Sequence, residues 1–296
     1  MKPDKHPFRT PARCDSHREQ SPLRVELAGV PETLLIPLYM RFLETQRPNP
    51  IIRDGKAREI IETLDYDFTR FKRPWITQVD IAVRTEILDE ATRKFIARHP
   101  QATIVNLGAG LDGRFLRVNN GRITWFDLDL PEVVELRGQF YQDSEQNRTI
   151  AKSILDWSWL DEIGRPLGQE VLIIMEGVLP YFTEDQVRTL FAQIVSRFPG
   201  AEVLFQSTSP ECVKKHRKIR PLKHMNAPFR WGINSAREVV SWDCRYEYVA
   251  EWAFIDRHRD RWRGLRYVCL LTPVYRRLRE AMKISHVRLG SPPFAP

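Results

Sequence analysis

The stretch that most constrains this chain is Val105-Asn-Leu-Gly-Ala-Gly-Leu-Asp-Gly-Arg114. An apolar run, Thr103 to Leu107, meets two glycines and then a segment compatible with a helix. This reads as a strand ending in a tight turn where backbone approaches a ligand. Glycine suits such a turn because a Cβ would block positive φ and close contact. A second such run, Ile123-Thr-Trp-Phe-Asp-Leu-Asp129, ends in acid. A glycine turn after one strand and a carboxylate after the next hold a nucleoside, the acid accepting hydrogen bonds from ribose hydroxyls. Gly108-x-Gly110-x-x-Gly113 also fits the dinucleotide fingerprint literally, so an NAD-dependent oxidoreductase is one reading at this point.

Strand-like runs recur at 102–107, 122–127, 148–154, 170–176 and 201–207, with helix-like runs at 131–141, 157–163 and 183–197 between them. Alternation of this kind predicts an α/β fold, a mostly parallel Rossmann-like sheet with helices on both faces. Thr183 with Gln186 three residues on predicts a capping box at the start of the last of these helices. Before the first strand, helices are expected at 32–45, 56–65 and 77–97. They form an N-terminal helical cap over 23–100, preceded by a polar, proline-bearing tail at 1–22 expected to be disordered. The core is expected over 101–296, with an insertion at 210–242 after the fifth strand, a late strand at 245–254 and a closing strand from Ile284 to Leu289.

At 296 residues and 42% hydrophobic content the chain is long enough for one large α/β domain with accessory parts. It has no apolar run long enough to span a membrane and no apolar stretch behind its basic start, so neither a span nor a secretory signal is expected. Cys14, Cys212, Cys244 and Cys269 are scattered without metal-ligand spacing. No metal site is expected, and a cytoplasmic location with reduced thiols is. The net charge of +8 is concentrated after Glu211. With no nucleic-acid module accompanying it, this basic third reads as solvated helix faces rather than a nucleic-acid surface. A homo-oligomer is compatible with the sequence.

The glycine turn, Asp127-Leu-Asp-Leu-Pro131, Ser153-Ile-Leu-Asp156 and Glu176-Gly-Val-Leu-Pro-Tyr181 fall in this order at strand ends. The series resembles the leucine carboxyl methyltransferase family. Within it, the similarity is to the bacterial branch containing tetracenomycin-type polyketide O-methyltransferases, over about Glu26 to Gly290. Two departures are Gly113, where threonine is usual, and Pro180, which breaks a Leu-Met-Tyr run.

The resemblance implies the class I methyltransferase fold and S-adenosylmethionine (SAM) as cofactor, with S-adenosylhomocysteine (SAH) as product and no metal. It implies that Gly108, Ala109 and Gly110 cradle the amino-acid half of SAM. Asp129, with Leu130 beside it, takes the ribose, and Asp127 is the fallback. Leu155, Asp156 and Trp157 lie at the adenine, Glu176 lies near the methionine half, and Arg84 meets the carboxylate, which a guanidinium binds bidentately.

For the acceptor, Tyr181 is the catalytic candidate. Thr33, Tyr39, Arg41, His224, Arg230 and Trp231 are substrate candidates. A sulfonium methyl is activated for in-line displacement, so alignment and desolvation suffice for a carboxylate, while a phenol profits from a base. The leading expectation is O-methylation of a carboxylate or hydroxyl of a small molecule, a secondary metabolite. The alternatives are a carboxyl methyltransferase acting on a protein or peptide C-terminus, the oxidoreductase above, and a silent SAM-binding scaffold.

Overall fold

The computed structural model describes residues 23–71, 75–164, 170–215, 227–264 and 272–290. Seven strands form one sheet: β1 (Thr103–Leu107), β2 (Thr124–Asp129), β3 (Asn147–Ala151), β4 (Val171–Met175), β5 (Ala201–Thr208), β6 (Tyr246–Ala253) and β7 (Met282–Leu289). Their spatial order is β3-β2-β1-β4-β5-β7-β6. The first five strands run parallel, and β7 pairs antiparallel with both β5 and β6. The order reverses between β1 and β4, and such a switch point opens a crevice at the carboxyl ends of the strands.

β1, β4 and β5 are buried along their whole length, as strands covered on both faces must be. Alternate residues go to opposite layers. Val105, Leu107, Phe126, Leu128, Ile173, Met175, Val203 and Phe205 join one core. Ile104, Trp125, Leu172, Ile174, Leu204 and Ile284 join the other.

Before the sheet come α1 (Leu35–Thr45), α2 (Gly55–Thr63) and α3 (Trp75–Arg98). Asp54 caps α2 by accepting from the Ala57 N–H. The α3 sequence suggests a single apolar stripe through Ile81, Leu88, Ala91 and Phe95. In the fold α3 is buried on more than that stripe, including Arg84, Thr85, Asp89 and Thr92. The reason is position: Val83, Ile87 and Leu88 pack toward the sheet core while Ile81 joins the core of the N-terminal helices.

The short helices α4 (Arg114–Val118), α5 (Pro131–Gly138) and α6 (Trp159–Ile163) and the longer α7 (Glu184–Arg197) connect the first five strands. Both halves of the Thr183–Gln186 capping box are present at the start of α7. The expected strand at 148–154 is shorter, ending at Ala151. The 210–242 stretch carries short helices at Pro210–Lys215 and Ala236–Val240. His224 lies outside the described residues. Among the described residues no helix is long and apolar enough to cross a membrane.

Candidate active site

A cavity of about 330 Å³ opens at the carboxyl ends of β1, β2 and β4, beneath the N-terminal helices. Of the residues expected at the cofactor, it brings together Arg84, Gly108, Ala109, Gly110, Asp129, Leu130 and Glu176. Of those expected at the acceptor, it adds Thr33, Arg41 and Tyr181.

The glycine turn is held in place by its surroundings. Gly108 and Gly110 have φ of 72° and 50°, a region that other residues enter only at a cost. The Gly108 and Ala109 N–H groups donate to the Leu128 carbonyl at 2.8 and 3.1 Å. Asp129 accepts from the Gly110 N–H at 2.7 Å and from the Leu130 N–H at 2.8 Å. Burial pushes the Asp129 carboxyl up from its ordinary range, against the pull of those two bonds.

Asp127, the fallback, is fully engaged: it accepts from Asn106 and Trp125, each at 2.9 Å, and pairs with Arg137 at 2.6 Å. Arg137 also donates to the carbonyls of Gly110 and Asp112. Asp127 therefore fixes the turn from below, and Asp129 is the acid at the cavity. A Cβ on Gly108 would lie 2.8 Å from Val178 Cγ2. Gly108→Ala is expected to cost about 1–2 kcal/mol in backbone strain alone. A melting curve checks it, and an unchanged midpoint would refute the tight-turn assignment.

Arg84 and Glu176 face each other at 2.5 Å with little exposure on either side chain. Arg84 also donates to Gln206 at 2.8 Å, yet its Nε is buried without a hydrogen-bond partner. Burial opposes the charge on Glu176, but Arg84 and Arg114 outweigh it and hold its carboxyl below the usual range. Arg114, with a side chain fully out of solvent, contacts Glu176 at 2.5 Å and Asp89 and Asp112 at 2.9 Å each. Arg117 reaches Asp89, Asp112 and Asp54, and Arg41 pairs with Asp54 at 2.8 Å. Four arginines thus face four acids in one buried network behind the cavity. Apart from Arg84, Arg41 and Glu176, sequence reasoning did not find these residues. The one available signal was Arg114, charged and immediately after the glycine turn.

Several expected residues lie elsewhere. Asp156 is exposed, and its carboxylate accepts from the Ser158 N–H and hydroxyl at 3.1 and 2.7 Å. It caps the turn into α6 instead of lining the cavity. Leu155 and Trp157 are not on the cavity wall either, and Trp157 packs against the core.

Tyr39 stacks on Phe42 and Phe68 inside the N-terminal aromatic cluster. Arg41 touches the cavity, but its guanidinium is taken by Asp54 and the Leu111 carbonyl. Trp231 is 6% exposed and packs beside Trp242 in the sheet core. Arg230 is fastened through its N–H to the Pro180 carbonyl. The neighbouring Phe229 is the residue of this segment that reaches the wall. Tyr181 is present there, its hydroxyl 3.3 Å from Thr33 Oγ1 and its ionisation pushed up by burial.

The strand order and a glycine turn opening on the switch point define a class I, SAM-dependent methyltransferase fold. Residues 35–195 match the leucine carboxyl methyltransferase family. The tetracenomycin polyketide synthesis O-methyltransferase of Streptomyces glaucescens is 30% identical over 78% of this chain and 86% of its own. A SAM-dependent methyltransferase of Gibberella zeae is 29% identical over 73% of this chain and 79% of its own. A DUF574 family protein from Streptomyces avermitilis has the same fold, with TM-score 0.58 at 12% identity over 88% of this chain and 97% of that one. The chain belongs to the leucine carboxyl methyltransferase family and is a SAM-dependent methyltransferase. The literal dinucleotide fingerprint thus sits in a methyltransferase, which displaces the oxidoreductase reading.

Proposed function

We propose that this enzyme methylates an oxygen, a carboxylate or hydroxyl, of a small secondary metabolite. The observation that carries this is the cavity itself: its wall includes Leu34, Ile36, Ile76, Ile81, Val178 and Phe229, a lining suited to a compact apolar molecule. The Streptomyces glaucescens relative, an O-methyltransferase of polyketide synthesis, supports the same reading.

The residues present fit SAM. The glycine turn lines the cavity with no side chain at Gly108 or Gly110, and Arg84 lies on the same wall. In this reading Arg84 holds the cofactor carboxylate. Gly108 to Gly110 admit the chain of its amino-acid half, Asp129 accepts the ribose hydroxyls, and Glu176 orients Arg84. The adenine assignment to Asp156 has the least support, because Ser158 already occupies that carboxylate. When bound, SAM supplies a methyl group activated by its sulfonium. The protein's part is to align the acceptor and keep water out, with the N-terminal segment 23–100 serving as cap over the 101–296 core.

Asp129→Ala is expected to weaken SAH binding by about 1–3 kcal/mol while the fold persists. Calorimetry with SAH, read beside a melting curve, tests it. An unchanged dissociation constant would remove Asp129 from the cofactor site. A methyl-acceptor screen offering free C-terminal peptides beside hydroxylated and carboxylated aromatics tests the acceptor. Methylation of the peptides alone would replace the metabolite reading with a protein C-terminus.

A further inference from the structure

Gln206 is a buried side chain on the cavity wall whose hydrogen bonding is half complete. It is 4% exposed and stands near the carboxyl end of β5. Its Oε1 accepts from Arg84 Nη1 at 2.8 Å. A guanidinium only donates, so this bond fixes which end of the amide is oxygen and which is nitrogen. The amide nitrogen has no hydrogen-bond acceptor among the described residues, and it is not sealed from solvent. Its N–H groups therefore meet the cavity uncommitted. Several other donors on the wall are spent. The Asn106 amide donates to Asp127, Tyr181 to Thr33, Thr33 to the Val30 carbonyl, and Arg41 to Asp54 and the Leu111 carbonyl.

Strand order sets this amide beyond the residues that fit the cofactor. Asp129 ends β2, the glycine turn follows β1 and Glu176 follows β4, while Gln206 belongs to β5, the next strand along. At about 4.8 Å between strands, Gln206 stands roughly 14 Å across the sheet from the ribose acid. The next neighbour, β7, adds Met282 to the wall, paired with Thr208 just past Gln206. On α3, Ile76 lies about 12 Å along the helix axis from Arg84. Ile76 and Val30 both line the cavity, yet they are 47% and 36% exposed. A buried donor at one end and uncovered apolar side chains at the other suit a ligand with a polar head and an apolar body.

Resting on the methyl-transfer reading above, we propose that the Gln206 amide is the acceptor-binding donor of this enzyme. It holds one oxygen of a carboxylate acceptor whose apolar body lies along α3 toward Ile76. A carboxylate only accepts hydrogen bonds, and Gln206, with Oε1 taken by Arg84, only has donors to offer. Holding one oxygen aligns the other with the methyl carbon. That second oxygen bonds to the methyl carbon, the S–CH₃ bond breaks, and the sulfur keeps the electron pair. No proton moves, because the carboxylate and sulfonium charges cancel in a neutral ester and thioether.

Calorimetry on the SAH-saturated protein reads this without turnover, with β-naphthoate and the shorter benzoate as probes. Gln206→Glu keeps an oxygen for Arg84 and sets a second oxygen where the amide nitrogen was. It is expected to weaken β-naphthoate at least about 30-fold, through a lost donor and a new repulsion. SAH affinity should stay within about threefold, which also shows that the variant is folded. Ile76→Ala should weaken β-naphthoate about fivefold and benzoate less than about twofold, since only the longer body reaches that side chain.

Unchanged β-naphthoate affinity in Gln206→Glu would overturn the proposal and show that Gln206 serves only to hold Arg84. SAH affinity falling as far as that of β-naphthoate would give the amide to the cofactor and overturn it too. So would a SAH-loaded wild type that does not bind β-naphthoate, or equal losses for the two probes in Ile76→Ala. Each of these leaves methyl transfer standing. A wild-type protein that does not bind SAH would remove the methyl-transfer reading beneath it.

Discussion

Replacing Arg114 with methionine is expected to destabilise the protein by about 3–5 kcal/mol at neutral pH, the usual result of breaking a buried ion cluster from one side. Arg114 is fully enclosed and touches three carboxylates, those of Asp89, Asp112 and Glu176. Burial works against its charge, but Asp112, Glu176 and Asp89 together more than compensate and raise its pKa above the ordinary range. Methionine fills much of the space and cannot pair with any of them. Arg41, Arg84 and Arg117 remain in the network, three cations for the four acids left behind.

The sign of the pH dependence follows from those acids. Burial would raise Asp112 and Glu176, yet their arginines hold both carboxyls below the ordinary range. Groups lowered in this way stabilise the fold above their unfolded pKa, and the stabilisation is lost as pH falls through the folded value. Wild type and variant should therefore differ most at neutral pH and converge in acid. Urea denaturation at about pH 7 and about pH 4 measures this. A loss under about 1 kcal/mol at neutral pH, or a loss that does not shrink in acid, would mean that the network is not what holds this side of the cavity together.

The parts of the molecule legible in the sequence are those set by local pattern. Apolar runs ending in glycine or acid located β1, β2 and β4, and Thr183 with Gln186 marked the start of α7. The glycine turn and Asp129 could be read because the chemistry needs particular residue types at particular strand ends. Alternation alone puts Asp127 and Asp129 on the same side of one strand, and it was the resemblance that ranked Asp129 first with Asp127 as fallback. The distinction comes from Arg137, Asn106 and Trp125, which claim Asp127 from other elements.

Tyr39 and Trp231 look like site residues in a list of aromatics, yet packing partners far away in sequence take them into cores. Asp156 lies off the cavity for a local reason: Ser158, two residues on, turns its carboxylate into a cap.

Arg84→Met is expected to weaken SAH binding by about 2–5 kcal/mol, the range for removing one member of a buried, hydrogen-bonded charge pair. Arg84 is 7% exposed and lies on the cavity wall, its guanidinium held by Glu176 at 2.5 Å and Gln206 at 2.8 Å. It is thus fixed in place before a ligand carboxylate arrives, so little is spent on ordering it. Stability should fall less than in Arg114→Met, because Glu176 keeps Arg114 as a partner. Two roles are separable here, ligand contact and support of Glu176, and a double-mutant cycle with Glu176→Gln apportions them. If Arg84 binds the ligand directly, Arg84→Met weakens SAH binding further in the Glu176→Gln background. If it acts only through Glu176, the double variant binds SAH no worse than Glu176→Gln alone, and the carboxylate-binding assignment is lost.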